Sequence, residues 1–181
     1  MSDGTPTTDN SVFEGLFGKL LKPEGAFAED LRAIGYDVDK PELRYHTQVL
    51  QQALNVAARH VYPELPIGEA LHKLGQRFSE RYLTTILGRI TRTLVLALGV
   101  EKFIMQMPKI VALTSTGLGA KVERLGVGEY LISFTGEHQS PDFIAGAIEG
   151  GATDLSIFKL KAEVVRREPA EFDLKITGLK K

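Results

Sequence analysis

The apolar residues of this chain change period once, and that change limits the folds open to it. As far as Met107 they recur at helical spacing, whereas beyond Pro108 they alternate with polar residues. Tyr130, Ile132 and Phe134, then Phe158, Leu160, Ala162 and Val164, then Phe172, Leu174 and Ile176 are interleaved with Ser133, Lys159, Lys161, Glu163, Asp173 and Lys175. Such alternation describes a sheet with one buried and one wet face. Gly126-Val127-Gly128 separates a strand at Ala120–Leu125 from one at 129–135, and Glu168-Pro169-Ala170 separates the last two, so the strands form two hairpins. Between them Ser140-Pro141 starts a helix that turns Phe143, Ile144, Ala147 and Ile148 inward and ends at Gly150-Gly151. The sequence therefore predicts an α+β fold, with an N-terminal helical half of five to six helices packed on a C-terminal ββαββ antiparallel sheet.

In the helical half, Val12, Phe13, Leu16, Phe17, Leu20 and Leu21 mark a first amphipathic helix. A second, over about 24–34, carries Phe27, Leu31 and Ile34 and closes at Gly35, which readily takes the left-handed conformation. Pro41 opens a third, with the stripe Leu43, Leu50, Ala53, Leu54, Ala57 and Val61, and Pro63 and Pro66 stop it. Leu74, Phe78, Tyr82, Ile86, Ile90 and Leu94 then recur every fourth residue. On a straight helix that spacing drifts by about 40° per step. A bend or break near Thr84, Thr85 and Gly88 is expected, giving two helices that both face the core. A short helix over Glu101–Met107 precedes Pro108.

With 181 residues, one domain over 12–181 is expected, large enough to bury roughly 70% of the surface its unfolded chain exposes. The chain has no cysteine, which excludes disulfides, thiolate nucleophiles, iron-sulfur clusters and Cys-ligated zinc, and which suits a reducing, cytoplasmic location. A net charge of -1 provides no general attraction to nucleic acid. Met1–Ser11, with Asp3, Asp9 and no Lys or Arg, reads as a disordered arm and not as a secretory signal. The longest apolar run, Leu94–Val100, is about a third of the roughly 20 residues that span a bilayer.

No residue set meets the spacing of a known catalytic, metal or phosphate site. Glu69 and His72 make one Glu-x-x-His pair, but a di-iron bundle needs two pairs and two further carboxylates. Gly117–Lys121 and Gly126–Gly128 lack the spacing and the following helix of a phosphate loop. Ser133, His138 and Asp142, or Ser140, His138 and Glu137, could be written as a triad, yet no Gly-x-Ser-x-Gly elbow presents a serine. The expectation is a protein that is not an enzyme and that uses no metal and no cofactor.

Two features are less ordinary. From His72 to Arg92 the chain has Lys73, Arg77, Arg81, Arg89 and Arg92 against a single acid, Glu80, and on a helix Lys73, Arg77 and Arg81 lie within about 80° of one another. From Leu125 to Phe158 it has Glu129, Glu137, Asp142, Glu149 and Asp154 and no Lys or Arg. The basic stripe, with Arg92, is a candidate partner or anion surface, and the two segments together could join copies head to tail. Phe78, Tyr82 and Ile86 are either core or the wall of a pocket between helices, where small apolar ligands usually sit.

Several strings resemble those of a paralogue-rich myxobacterial family of unknown function: Tyr62-Pro63-Glu64-Leu65-Pro66, Leu74-Gly75-x-Arg77-Phe78, Tyr82-x-x-Thr85-x-x-Gly88-Arg89 and Phe143-x-x-Gly146-x-x-Glu149-Gly150. The resemblance runs from about Val12 to Thr177, and Gly75, Gly88 and Gly146 fit it as points of close approach. More distantly, helices followed by ββαββ, with a Leu-Gly-x-x-Phe helix, are similar to the superfamily of vinyl-reductase-type (4VR) ligand domains, Bet3-like trafficking subunits and haem-based nitric-oxide sensors. The proximal histidine and Tyr-x-Ser-x-Arg string of those sensors are missing, as are the cysteines with which other relatives hold zinc or an acyl chain. What the resemblance implies is a non-enzymatic binding or regulatory module, self-associating, that either encloses a small apolar ligand or presents a protein-partner surface. The alternative is a structural protein that assembles through its complementary charged segments.

Overall fold

The computed structural model describes residues 6–154 and 159–178. Its C-terminal half is an antiparallel sheet in the order β4-β5-β7-β6, formed by β4 (Gly119–Gly126), β5 (Glu129–Thr135), β6 (Lys161–Glu168) and β7 (Glu171–Thr177). In register, Ile132 faces Leu174 and Phe134 faces Phe172, so the alternating apolar residues share one buried face. Phe158, which the alternation assigns to the third strand, lies outside the described residues. On the opposite face a bulge between Val164 and Arg166 aligns Arg166 with Asp173. There the guanidinium Nε donates to Asp173 at 2.7 Å, and this hydrogen bond holds the Asp173 carboxyl below its usual value.

The helical half begins earlier than expected. Residues 1–5 of the arm lie outside the described residues, but β1 (Thr7–Asp9) is ordered as the centre of a small sheet, β2-β1-β3, with β2 (Arg44–His46) and β3 (Ser115–Thr116). Pairing with two strands supplies the backbone hydrogen bonds that an arm rich in Thr and Asp lacks by itself. The same pairing moves the start of the third helix. Arg44–His46 is extended, Pro41 stands outside the helix, and Leu43 is 89% exposed and is no part of the stripe.

α1 (Asn10–Phe13), with Asp9 as its cap, runs on into a π-helical segment, Glu14–Leu21, that closes with Lys22 N–H donating to the Phe17 carbonyl. Phe13, Leu16 and Phe17 are buried together. α2 (Ala26–Ala33) ends as expected at Gly35, where the Tyr36 N–H reaches back to Leu31. α3 (Thr47–Val61) and α4 (Ile67–Tyr82) complete the first core.

After α4 the chain breaks. Thr85 stops one helix and starts the next: its hydroxyl donates to the Tyr82 carbonyl at 2.8 Å and accepts the Gly88 N–H at 3.0 Å. A side chain on Gly88 would collide with that carbonyl. The break is where the four-residue drift predicts it, but in α5 (Ile86–Leu98) the stripe Ile86, Ile90 and Leu94 is exposed while Val95 is buried in the core. Ile86 is 70% and Ile90 51% exposed, because reorientation at Thr85 turns the stripe outward. Two further helices follow, α6 (Val100–Met105) and α7 (Met107–Thr114). Pro108 therefore opens a helix instead of ending one, at a position where proline costs no hydrogen bond.

α8 (Pro141–Asp154) crosses from the sheet to the helical half and makes its most extensive contact with α4. It passes through Gly150-Gly151 without ending, since Gly150 faces the Gln76 carbonyl and Gly146 the His72 carbonyl with no room for a Cβ. Gly75 of α4 faces the Phe143 carbonyl in the same way. Gly146→Ala is therefore expected to cost about 3 kcal/mol, the upper part of the overpacking range because backbone cannot yield, and to lower Tm by about 6–12 °C. Gly18→Ala, whose Cβ would meet only Glu14 at 3.7 Å, is the control and should be neutral or slightly stabilising in the same thermal melt.

Candidate functional site

The first core, built by α1 to α4, and the second, between α5, α6, α8 and the sheet, do not close on each other. Between them is a cavity of about 290 Å³. Leu54 of α3, Phe78 of α4, Val95 of α5, Ile104 of α6, Ile132 of β5 and Ile148 of α8 all border it, so each half of the molecule supplies wall. Among the described residues that line it there is no Lys, Arg, Asp or Glu.

Of the three residues proposed as a pocket wall, Phe78 and Tyr82 border this cavity and Ile86 does not. The Phe78 and Tyr82 rings pack at a tilt with centroids 4.9 Å apart, and Phe78 also packs on Phe143 at 5.3 Å. Burial pushes the Tyr82 phenol above its ordinary value, and a hydrogen bond with Thr91 offsets part of that rise. The phenol is thus neutral at physiological pH.

Most polar side chains at the wall are committed to the protein. Ser79 donates to the Ala147 carbonyl at 2.7 Å, Gln51 to the Gln139 carbonyl at 3.2 Å, and Gln139 to the Gly136 carbonyl at 2.8 Å. Thr8 and Thr47 differ. Both line the cavity, both are 3% exposed, and neither Oγ1 has a hydrogen-bond partner among the described residues. Thr8 pairs with Tyr45, and the Thr47 N–H donates to the Pro6 carbonyl, so the ladder register places the two threonines on one face. A buried hydroxyl without a partner costs about 1–3 kcal/mol. Neither threonine was visible as a site residue in the sequence: Thr8 fell in the supposed arm, and Thr47 fell inside a helix expected to begin at Pro41.

The basic stripe is on the outer side of α4. Lys73 Nζ stands 6.0 Å from the Tyr62 ring centroid and Arg77 donates to the Tyr62 hydroxyl at 3.2 Å, while Arg81 and Arg92 are exposed. None of these four borders the cavity. The acids of 125–158 are largely answered within the fold. Asp142 accepts two hydrogen bonds from Arg167, each 2.8 Å, and Glu129 lies 3.5 Å from Lys175. Glu149 takes His72 at 2.8 Å, Gln76 at 2.9 Å and the Ala162 N–H at 2.8 Å, tying α4, α8 and β6 together. His72 is thereby committed to Glu149 instead of Glu69, and no group of three metal-binding side chains occurs among the described residues. The Asp154 side chain lies outside the described set. Ser133 engages Asp173 on the sheet, and His138 is in a left-handed loop position, 3.8 Å from Glu137. The described residues form no helix long and apolar enough to cross a membrane.

The chain belongs to a protein family of unknown function, DUF2378, whose model matches residues 7–177. No curated protein matches it. In fold it is similar to an H-NOX protein from S. oneidensis in the Fe(II)NO ligation state, with a TM-score of 0.70 at 13% identity, covering 95% of this chain and 99% of the other. It is also similar to an oxygen-binding H-NOX domain related to soluble guanylate cyclases, in its oxygen complex, with a TM-score of 0.67 at 13% identity over 94% and 93% of the two chains. At this identity the likeness establishes a shared fold.

Because Thr47 Oγ1 is buried without a partner among the described residues, Thr47→Val should stabilise the ligand-free protein by about 1 kcal/mol, raising Tm by roughly 2–4 °C. Thr47→Ser, which keeps the hydroxyl, should give no such gain in a thermal melt of delipidated protein.

Proposed function

We propose that this DUF2378 protein is a non-enzymatic, ligand-binding regulatory module whose cavity takes a small apolar molecule. One observation carries the reading: a mostly apolar cavity of about 290 Å³, lined by no Lys, Arg, Asp or Glu among the described residues, where the helical half and the sheet half meet. Sites for small molecules are concave and mostly apolar, with few polar groups. The H-NOX likeness supports it, since the neighbours are reported with iron-bound nitric oxide and with oxygen.

The haem named for another H-NOX structure does not suit this wall. Among its described residues there is no Lys or Arg to meet the two porphyrin carboxylates, and its one imidazole, His138, belongs to a loop beside Glu137. The ligand chemistry is therefore metal-free and apolar. The neutral fluorescent probe N-phenyl-1-naphthylamine should bind with a blue shift in emission. Val111→Trp, at the half-buried α7 edge of the cavity, should weaken that binding at least about tenfold while the thermal melt is retained. Absence of probe binding, with no small molecule in the native mass spectrum of purified protein, would remove this reading.

A second reading, a partner or self-association surface, is favoured by α5. Ile86, Ile90, Leu94 and Leu98 recur along it and are 70%, 51%, 38% and 39% exposed, with Arg81 and Arg92 nearby in sequence. Ordered apolar residues in such a run usually mark a contact. Assembly through complementary charge has less support, because Asp142, Glu149 and Glu129 already have partners in the fold. Concentration-dependent mass in light scattering that is insensitive to salt, and that Ile90→Asp abolishes while shifting Tm by less than about 2 °C, would match the α5 surface. A monomer at all concentrations would count against self-association.

A further inference from the structure

The cavity has a polar end. Thr8 and Thr47 place two buried hydroxyls, without a hydrogen-bond partner among the described residues, on one face of the β1–β2 ladder, at the edge of a mostly apolar wall. Thr47 is also the first residue of α3, whose cap, His46, makes no side-chain hydrogen bond to the helix. Two hydroxyls side by side suit an oxygen atom, since each can both donate and accept, whereas the Thr47 N–H is already given to the Pro6 carbonyl. No lysine or arginine lines the cavity among the described residues. The one wall imidazole, His138, lies 3.8 Å from the Glu137 carboxylate, so a carboxylate or phosphate would arrive without a counter-charge of its own and bear most of the cost of leaving water.

We infer that the ligand is a neutral amphiphile with one oxygen-bearing end, an alcohol, ketone or ester, seated at Thr8 and Thr47, its hydrocarbon part running toward Phe78 and the sheet. The inference rests on the cavity reading proposed above. Size limits it further: 290 Å³ is the liquid volume of about ten waters, so the enclosed part holds on the order of ten non-hydrogen atoms. The two threonines act as a specificity device, because a site built to pair a polar group discriminates against analogues that lack it.

The test is displacement of N-phenyl-1-naphthylamine from the full chain by 1-octanol, octanoate and octane, in the wild type and in Thr8→Val, Thr47→Val and Thr47→Ser. Wild type should bind octanol at least tenfold more tightly than octanoate at pH 7. Each valine variant should weaken octanol about tenfold and leave octane unchanged or tighter, whereas Thr47→Ser should keep the octanol affinity. Should a valine variant fail to fold, the serine variant and the octanol-to-octanoate ratio still decide the matter. If octanol and octane both bind but their ratio is the same in wild type and valine variants, the polar end is overturned and the apolar cavity stands. Octanoate binding as tightly as octanol would overturn the neutral head group. Failure of every probe to bind would overturn the cavity reading itself.

Discussion

The contact between α4 and α8 is the constraint on which the remaining structure depends. At Gly75, Gly146 and Gly150 the two helices touch backbone to backbone, with a carbonyl of the partner where a Cβ would stand. Only glycine allows that approach, and the entropy it costs in a helix is offset by what the approach makes possible. Phe143 can then reach Phe78, and Glu149 can reach both His72 on α4 and the edge of β6. Through this one crossing the sheet half is fixed to the helical half.

The cavity is a consequence of the same geometry. While α4 and α8 meet closely along one line, the chain restarts at Thr85 and takes α5, α6 and α7 away to the other side. The two apolar cores then face each other across a gap instead of merging. Ile144 is packed against both, and the remaining wall is shared between them. Charge is held outside. The acids that cluster in sequence are distributed over separate surface pairs, and the basic stripe of α4 points away from the gap. What the gap offers to a ligand is mostly hydrocarbon, with the Thr8 and Thr47 hydroxyls at the β1–β2 ladder.

Legibility of the site followed the range of the interactions that make it. Phe78 and Tyr82 could be picked out because their periodicity and bulk are local properties of α4. Ile86 carries the same periodic signal, yet a single reorientation at Thr85 sends it to solvent. Thr8 and Thr47 gave no signal: an unpartnered hydroxyl is defined by what surrounds it, and its surroundings are strands and helices from distant parts of the chain. The acidic segment misled for the same reason, since Asp142 meets Arg167 and Glu149 meets His72 only after folding.

The sequence by itself determined the α+β class, the two C-terminal hairpins, the helix between them and the break near Thr85. Those follow from periodicity, turn residues and capping, which act over a few residues. Tertiary structure decided the small β2-β1-β3 sheet, the passage of α8 through Gly150-Gly151, the exposure of α5 and the existence of the cavity. Each of these depends on which backbone or side chain arrives from elsewhere in the chain, and close packing, not local propensity, chooses among the outcomes.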